Sequence, residues 1–389
     1  AGVLEAVFEG RSEAVGTAHF EALAKLAQAY SKRDDGEALA EVFGAVRAKF
    51  VPLAEQRGEY RSVPLEQSYL RLEPFFWSLV VFLVGFVLLV FSWLLPRGKL
   101  LHWSAFGLTA VALGFAVTGV TMRCIIMQRP PITGIWDTIP FITGTGVFFL
   151  LVLELINRKR LALPVASSIG VLGMLLAMAH ETMNGTDTMR VLVAVLDSNF
   201  WLTTHVIAIN LGYMAPLVAG ALGIVYVVGR LFNFGSHRAR FYKELERMMN
   251  GAIAFGLVFA VVGTILGGVW ANDSWGRFWG WDPKENGALL ICLWLIAILH
   301  ARMGGYIRAL GVAAACIFGA SIVCFSWFHA NMLGRGLHAY GATAGRDALW
   351  ATYYGLWTLT GLGCLAFMLD GVRVQNERRA RVALDSAEA

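Results

Sequence analysis

The chain has 389 residues, of which 57% are hydrophobic and only 15% charged, and its mean hydropathy is +0.60. That balance excludes a soluble globular fold and predicts an all-α, polytopic transmembrane helix bundle. Formal net charge is +5, yet residues 1–74 hold 9 basic and 12 acidic side chains. The positive excess therefore sits in the apolar part, where it reports topology, and no nucleic-acid partner is expected.

In chain order, residues 1–74 read as a small extracytoplasmic helical segment. Phe20, Leu23, Ala27 and Tyr30 share one helical face, and Leu39, Val42, Phe43, Val46 and Phe50 another, with Asp34-Asp35-Gly36 as the turn. A structural appendage without chemistry is the expectation here. No stretch resembles a signal peptide, and a start at Ala1 suggests a processed or excised product. Apolar runs follow at about 75–95, 104–126, 139–156, 163–180, 200–229, 250–270, 286–303, 307–328 and 348–370. Each is long enough, or nearly so, to cross a hydrocarbon layer of about 30 Å. About nine crossings place the termini on opposite sides.

Loops 96–103, 157–162, 230–249 and 301–309, with the tail 371–389, hold sixteen Lys and Arg, whereas the alternate loops, counting Arg123, hold seven. The positive-inside rule makes the first set cytoplasmic. Residues 75–370 are then a transmembrane domain and 371–389 a basic cytoplasmic tail. Cys124, Cys292, Cys316, Cys324 and Cys364 all fall in apolar runs without a CxxC pair, so neither a zinc site nor a disulfide framework is expected. There is also no CxxCH to carry a covalent haem.

The loop 270–286, WANDSWGRFWGWDPKEN, faces outward in this topology and holds Trp270, Trp275, Trp279 and Trp281 within twelve positions. Indoles at that density, with glycine and charge between them, make an aromatic floor with polar anchors at its edge. A planar apolar ligand with acidic groups suits such a floor, and haem is one. Arg277 and Lys284 are candidates to pair with its propionates, although charge pairing within the loop, such as Arg277 with Asp273, explains them equally well. Asp282 before Pro283 reads as the start of a helix. Gly263 and Gly267 form a GxxxG, for which close helix packing is a sufficient account.

Depth sorts the histidines. His205 lies five residues into a helix beginning near Phe200, about 7–8 Å below the outer surface. His338 lies in the outward loop between the last two crossings. Both are on the side of the tryptophans, and two neutral imidazoles facing each other there would be axial ligands of a haem iron. His300 follows Asn286 by fourteen residues, about 21 Å inward, where an ionisable group is a functional candidate or a histidine bonded to a neighbour. His180 and His329 end helices at the outer face, and position alone does not separate them from His205 and His338. His19 and His237 read as solvated bystanders, and His102 flanks the second crossing on the inner side.

WGRFWGWDPKEN resembles the WWD signature of the haem-handling proteins of cytochrome c maturation, in particular the CcsA-type or ResC-type subunit. RPPITGIWDT (129–138), FWLTTHVIAINLGY (200–213) and MLGRGLHAYG (332–341) are similar to further segments of that family, in its order. The resemblance implies that haem b, as ligand and substrate, is held by the WWD loop and by His205 and His338, with His300 marking an inner site. It implies thioether attachment of haem to CxxCH motifs of apocytochromes c, with a CcsB/ResB-type membrane partner and a thiol-reducing thioredoxin-like protein. It also implies the bacterial cytoplasmic membrane, ahead of the thylakoid. In this reading the thiolates come from the apocytochrome, so no catalytic nucleophile is expected in the chain itself. Two departures stand out: Gly287 occupies a place where many relatives carry a further Trp, and residues 1–74 match nothing in the stand-alone subunit. The competing expectations are a haem transporter without ligation and a b-type haem electron carrier.

Overall fold

The computed structural model describes residues 13–31, 36–58, 60–95, 98–184, 188–189, 192–232, 239–330 and 333–338, with 355, 357, 358, 360–363 and 371. Two compact units divide the chain, Ala1–Arg71 and Leu72–Ala389. In the first, α1 (Glu13–Ser31) and α2 (Gly36–Gln56) pack on each other. Of their expected apolar faces, Leu39, Val42, Val46 and Phe50 are half-buried, whereas Phe20, Tyr30 and Phe43 are exposed. The turn residues Asp34 and Asp35 and the bystander His237 lie outside the described residues. A third helix, α3 (Val63–Leu72), reaches the division between the units.

The second unit is a helix bundle made of α4 (Pro74–Leu94), α5 (Lys99–Met127), α6 (Ile135–Asn157), α7 (Ala162–Asn184), α8 (Asn199–Leu231), α9 (Ala239–Trp275), α10 (Pro283–Met303) and α11 (Ala309–His329). Among the described residues these eight crossings are present, and no strand is. The protein is a multi-pass membrane protein with an all-α fold. The ninth expected crossing, 348–370, falls mostly outside the described residues.

Two sets of four helices pack internally, α4–α7 and α8–α11, and α6 meets α8 between them. α8 and α11 are the most enclosed: 67% of the most apolar stretch of each is buried, against 22% for α5. Small residues make that enclosure possible. A Cβ on Gly212 of α8 would stand 2.7 Å from the backbone nitrogen of Ala260 in α9, and one on Gly223 would stand 2.6 Å from the carbonyl of Ala313 in α11. Backbones this close gain dispersion contacts that lipid cannot supply.

Proline and αL residues end the helices where the backbone demands it. Pro74 opens α4 at a position whose N–H has no partner to lose, and Gln128 and Arg158 close α5 and α6 in the left-handed conformation.

Candidate functional site

α8 opens as one α-helical turn and widens into a π-helical turn over Leu202–Val206, carrying His205. Such turns insert an extra residue and re-aim side chains, and they recur at functional sites. The half-buried His205 turns toward α9, where its Nδ1 donates to the carbonyl of Gly263 at 2.8 Å. One turn on, a Cβ on Gly267 would stand 2.6 Å from His205 Cε1. The GxxxG thus does two jobs, since Gly263 also lies against the backbone of Ile209. Trp270 meets the imidazole edge-on, with centroids 5.6 Å apart, and Trp201 stacks along Trp270 at 6.3 Å and 11°.

The loop that holds the signature is shorter than its sequence suggested. α9 continues to Trp275, so Trp270 and Trp275 are helical, and only 276–282 is irregular. Gly276 turns the chain at φ +70, and Trp281 is held at φ +59, a conformation uncommon for a bulky residue. α10 then begins with a reciprocal cap. Asp282 Oδ1 accepts the backbone N–H groups of Lys284 and Glu285, both at 3.0 Å, while Glu285 Oε2 accepts those of Gly280 and Asp282 at 2.7 and 3.2 Å.

The second oxygen of Asp282 has another partner. His338 Nδ1 donates to Oδ2 at 2.5 Å. Gly336, at φ +85, brings the 333–338 segment so close that a Cβ would stand 2.5 Å from Asp282 Cβ. Trp275 meets the His338 ring edge-on at 4.9 Å and 88°. The two histidines therefore lie against rings in the last turns of one helix, α9. Burial alone would raise the Asp282 carboxyl. The hydrogen bond from His338, helped by the backbone N–H groups of Glu285 and Lys284, outweighs it and holds the group below its ordinary value.

The remaining candidates divide. Trp279 and Trp281 form an edge-to-face pair at 6.1 Å, with Trp281 largely exposed. Arg277 finds Glu285 as its partner, Nη1 to Oε1 at 3.8 Å, and its guanidinium lies over Gly280, where any Cβ would collide with it. Lys284 turns inward and donates Nζ to the carbonyl of Trp327 at 2.9 Å. His300 is in the last turn of α10, exposed, with Nδ1 bonded to the carbonyl of Ile296 in its own helix. His102 is not beside it in any described contact; it is sealed against Glu154 at 3.3 Å. His180 is buried in α7, and His329 closes a second π-helical turn, Phe325–His329, stacked on Phe325.

Some of these contacts had no sequence signal strong enough to find them. Trp201 stood outside the tryptophan loop, and Gly267 looked like ordinary packing. Trp327 lies in an ordinary apolar run, yet its Nε1 donates to Thr138 at 2.6 Å and its carbonyl receives Lys284. That tie brings the 129–138 segment to the same end of the bundle. Asp137 pins this segment by accepting from Thr133, from the Gly134 backbone and from the buried Arg123 at 2.8 Å. Gly287 lets α10 press on α11, since a Cβ there would stand 2.6 Å from Ser326 Oγ. A tryptophan would not fit at that point.

Comparison with known proteins identifies the family. A chain described as "Cytochrome c biogenesis protein CcsA" from Guillardia theta is 28% identical, over 67% of this chain and 94% of its own. The protein of the same description from Chlorella vulgaris is 26% identical over the same shares. Among solved structures, "Cytochrome c Heme Lyase CcmF" superposes with a TM-score of 0.52 at 16% identity, covering 75% of this chain and half of that longer one, a likeness of fold. The family described as Cytochrome C assembly protein matches residues 134–338, more than half of the chain, including His205, residues 270–286 and His338. The chain belongs to that family, and its work is in cytochrome c maturation.

Proposed function

We propose that the protein holds haem b between His205 and His338, against the tryptophans, and presents it for thioether attachment to CxxCH motifs of apocytochromes c. One observation carries this reading. Each imidazole commits Nδ1 to an acceptor that has no proton to give, the Gly263 carbonyl or the Asp282 carboxylate. Each therefore keeps its proton on Nδ1, and among the described residues nothing bonds Nε2. Two imidazoles whose Nε2 atoms no described residue bonds, each edge-on to an indole, suit the two faces of an iron porphyrin.

Haem is here the substrate. Each apocytochrome thiol adds its S–H across one vinyl C=C, forming a C–S bond and placing the hydrogen on the neighbouring carbon, so no oxidant is consumed. The chain's own residues bind and orient. The indoles supply area and exclude water, Arg277 offers a partly exposed cation for a propionate, and one histidine gives way to the histidine of the CxxCH peptide. Lys284 reaches a propionate only by leaving the Trp327 carbonyl. The exposed His300 suits an inner haem position shared with a CcsB/ResB-type partner. A thioredoxin-like reductant would keep the incoming thiols reduced. We assign residues 1–74 to the extracytoplasmic side, 75–370 to the membrane domain, 371–389 to a cytoplasmic tail, and the whole to a bacterial cytoplasmic membrane.

Purification of the full chain with its haem, followed by absorption spectra, tests the reading. The expected spectrum is six-coordinate and low-spin, weakened by His205→Gly or His338→Gly and restored by added imidazole. Full haem content and an unchanged spectrum in the double variant would overturn it.

A further inference from the structure

Asp282 divides its two oxygens between unlike tasks. Oδ1 caps α10, and Oδ2 receives His338 Nδ1. The side chain is 4% exposed, so water competes little for either bond. His205 has only a neutral carbonyl in the equivalent place. The contact is also built from both sides. Gly336 has no Cβ to hold its segment away from Asp282, and Trp275 stands perpendicular to the imidazole at 4.9 Å.

A histidine ligates a metal through an unprotonated nitrogen, and the partner of its other nitrogen decides which one that is. Resting on the reading above, we propose that Asp282 is the positioning residue of His338, fixing its proton on Nδ1 and presenting Nε2 as the ligating atom. The negative acceptor also makes His338 the more electron-rich of the two imidazoles. The cap and the ligand are thereby set by one side chain, so the start of α10 and the iron site form together.

The two tasks predict an order of variants that capping alone does not. In Asp282→Asn the backbone N–H groups of Lys284 and Glu285 require an acceptor, so the amide oxygen stays at the cap. The amide NH2 then faces His338 Nδ1, takes its lone pair and drives the proton to Nε2, the atom that must be bare. In Asp282→Ser the hydroxyl still caps the helix but is too short to reach the ring, and both tautomers become accessible. Asparagine, the closer mimic in size, should therefore be the more damaging.

The test is haem titrated into the full-length protein in detergent, read by affinity and by low-spin absorption, with thermal unfolding followed in parallel. Asp282→Asn is expected to lose roughly tenfold or more in affinity, and Asp282→Ser less, with both unfolding near the parent temperature. In a His338→Gly background, Asp282→Asn should add nothing, and imidazole should restore the low-spin band of either single variant. Parental affinity and spectrum in Asp282→Asn would overturn the proposal, as would an equal loss with and without His338. A parent chain that takes up no haem would instead overturn the proposed function, and this inference with it.

Discussion

The two ends of the bundle each pair a histidine with a carboxylate, and the pairs differ in what they leave open. At the tryptophan end, the His338 side chain stays 27% exposed over a nearly buried Asp282, and among the described residues nothing bonds its second nitrogen. At the opposite end, His102 and Glu154 are both only 2% exposed. Glu154 there accepts three backbone N–H groups, from Arg160, Ala162 and Leu163, and so fastens the α6–α7 connection and the start of α7. The same two functional groups thus form a half-open pair at one end and a rivet at the other. Burial of the imidazole's far edge makes the difference.

Replacement should separate the two. Glu154→Ala strips three backbone donors of their acceptor and removes the carboxylate beside a buried histidine, and a loss of about 3–5 kcal/mol is expected in thermal or denaturant unfolding. The fraction that still folds should keep the haem spectrum of the parent. Gly267→Val strikes the other end. Its Cβ would overlap His205 Cε1, so haem affinity should fall roughly tenfold, about 1.4 kcal/mol, by titration. Gly251→Ala, in the same helix with nothing within 4 Å of its Cβ, should instead leave affinity unchanged and add about 0.5–1 kcal/mol of stability. A comparable loss from both would dissolve the distinction.

Acid gives a finer probe. The Asp282 carboxyl is held below its ordinary value in the folded chain, so its contribution is complete above about pH 4 and disappears as pH falls through the lowered folded value. Haem-free parent protein should therefore lose unfolding temperature in acid more steeply than Asp282→Asn. Equal slopes would show that the pair contributes no pH-linked stability. Smallest of all, Arg277→Ala should change stability by less than about 1 kcal/mol, because its ion pair is 3.8 Å long and the guanidinium is a third exposed. A marked drop in haem affinity from that substitution would move Arg277 from the loop's own packing to the propionates.

Hydropathy made the bundle legible because a membrane imposes one length on every crossing. The run at 200–229 is α8 to within two residues, and 286–303 needs only its cap and first turn added. α9 was the instructive failure. Its first ten residues, ARFYKELERM, are too polar to register as a crossing, yet they continue the same helix, burying Tyr242, Leu245 and Met248. At the other end, WANDSW looked like loop because tryptophan and aspartate are common at interfaces, while the backbone simply keeps its hydrogen bonds to Trp275.

Within the site, residue types were readable and partners were not. Asp282 announced itself as a cap through the DPKE spacing, a local interaction. Its bond to His338 spans 56 positions, and nothing in either segment encodes it. The π-helical turn under His205 is equally silent, since LTTHV has no feature that demands one. Lys284 offered a charge, and only the fold shows that the Trp327 carbonyl receives it.

α10 starts beside one histidine and ends on another, with Asp282 as its cap and His300 in its final turn. Twenty-one helical residues make a strut of about 31 Å, the thickness of the hydrocarbon layer. Because a strut transmits thrust along its axis, a neighbouring subunit gripping α10 near His300 would tug on the carboxylate beneath His338. Displacement of either end of α10 would thereby be felt at the other face of the bilayer.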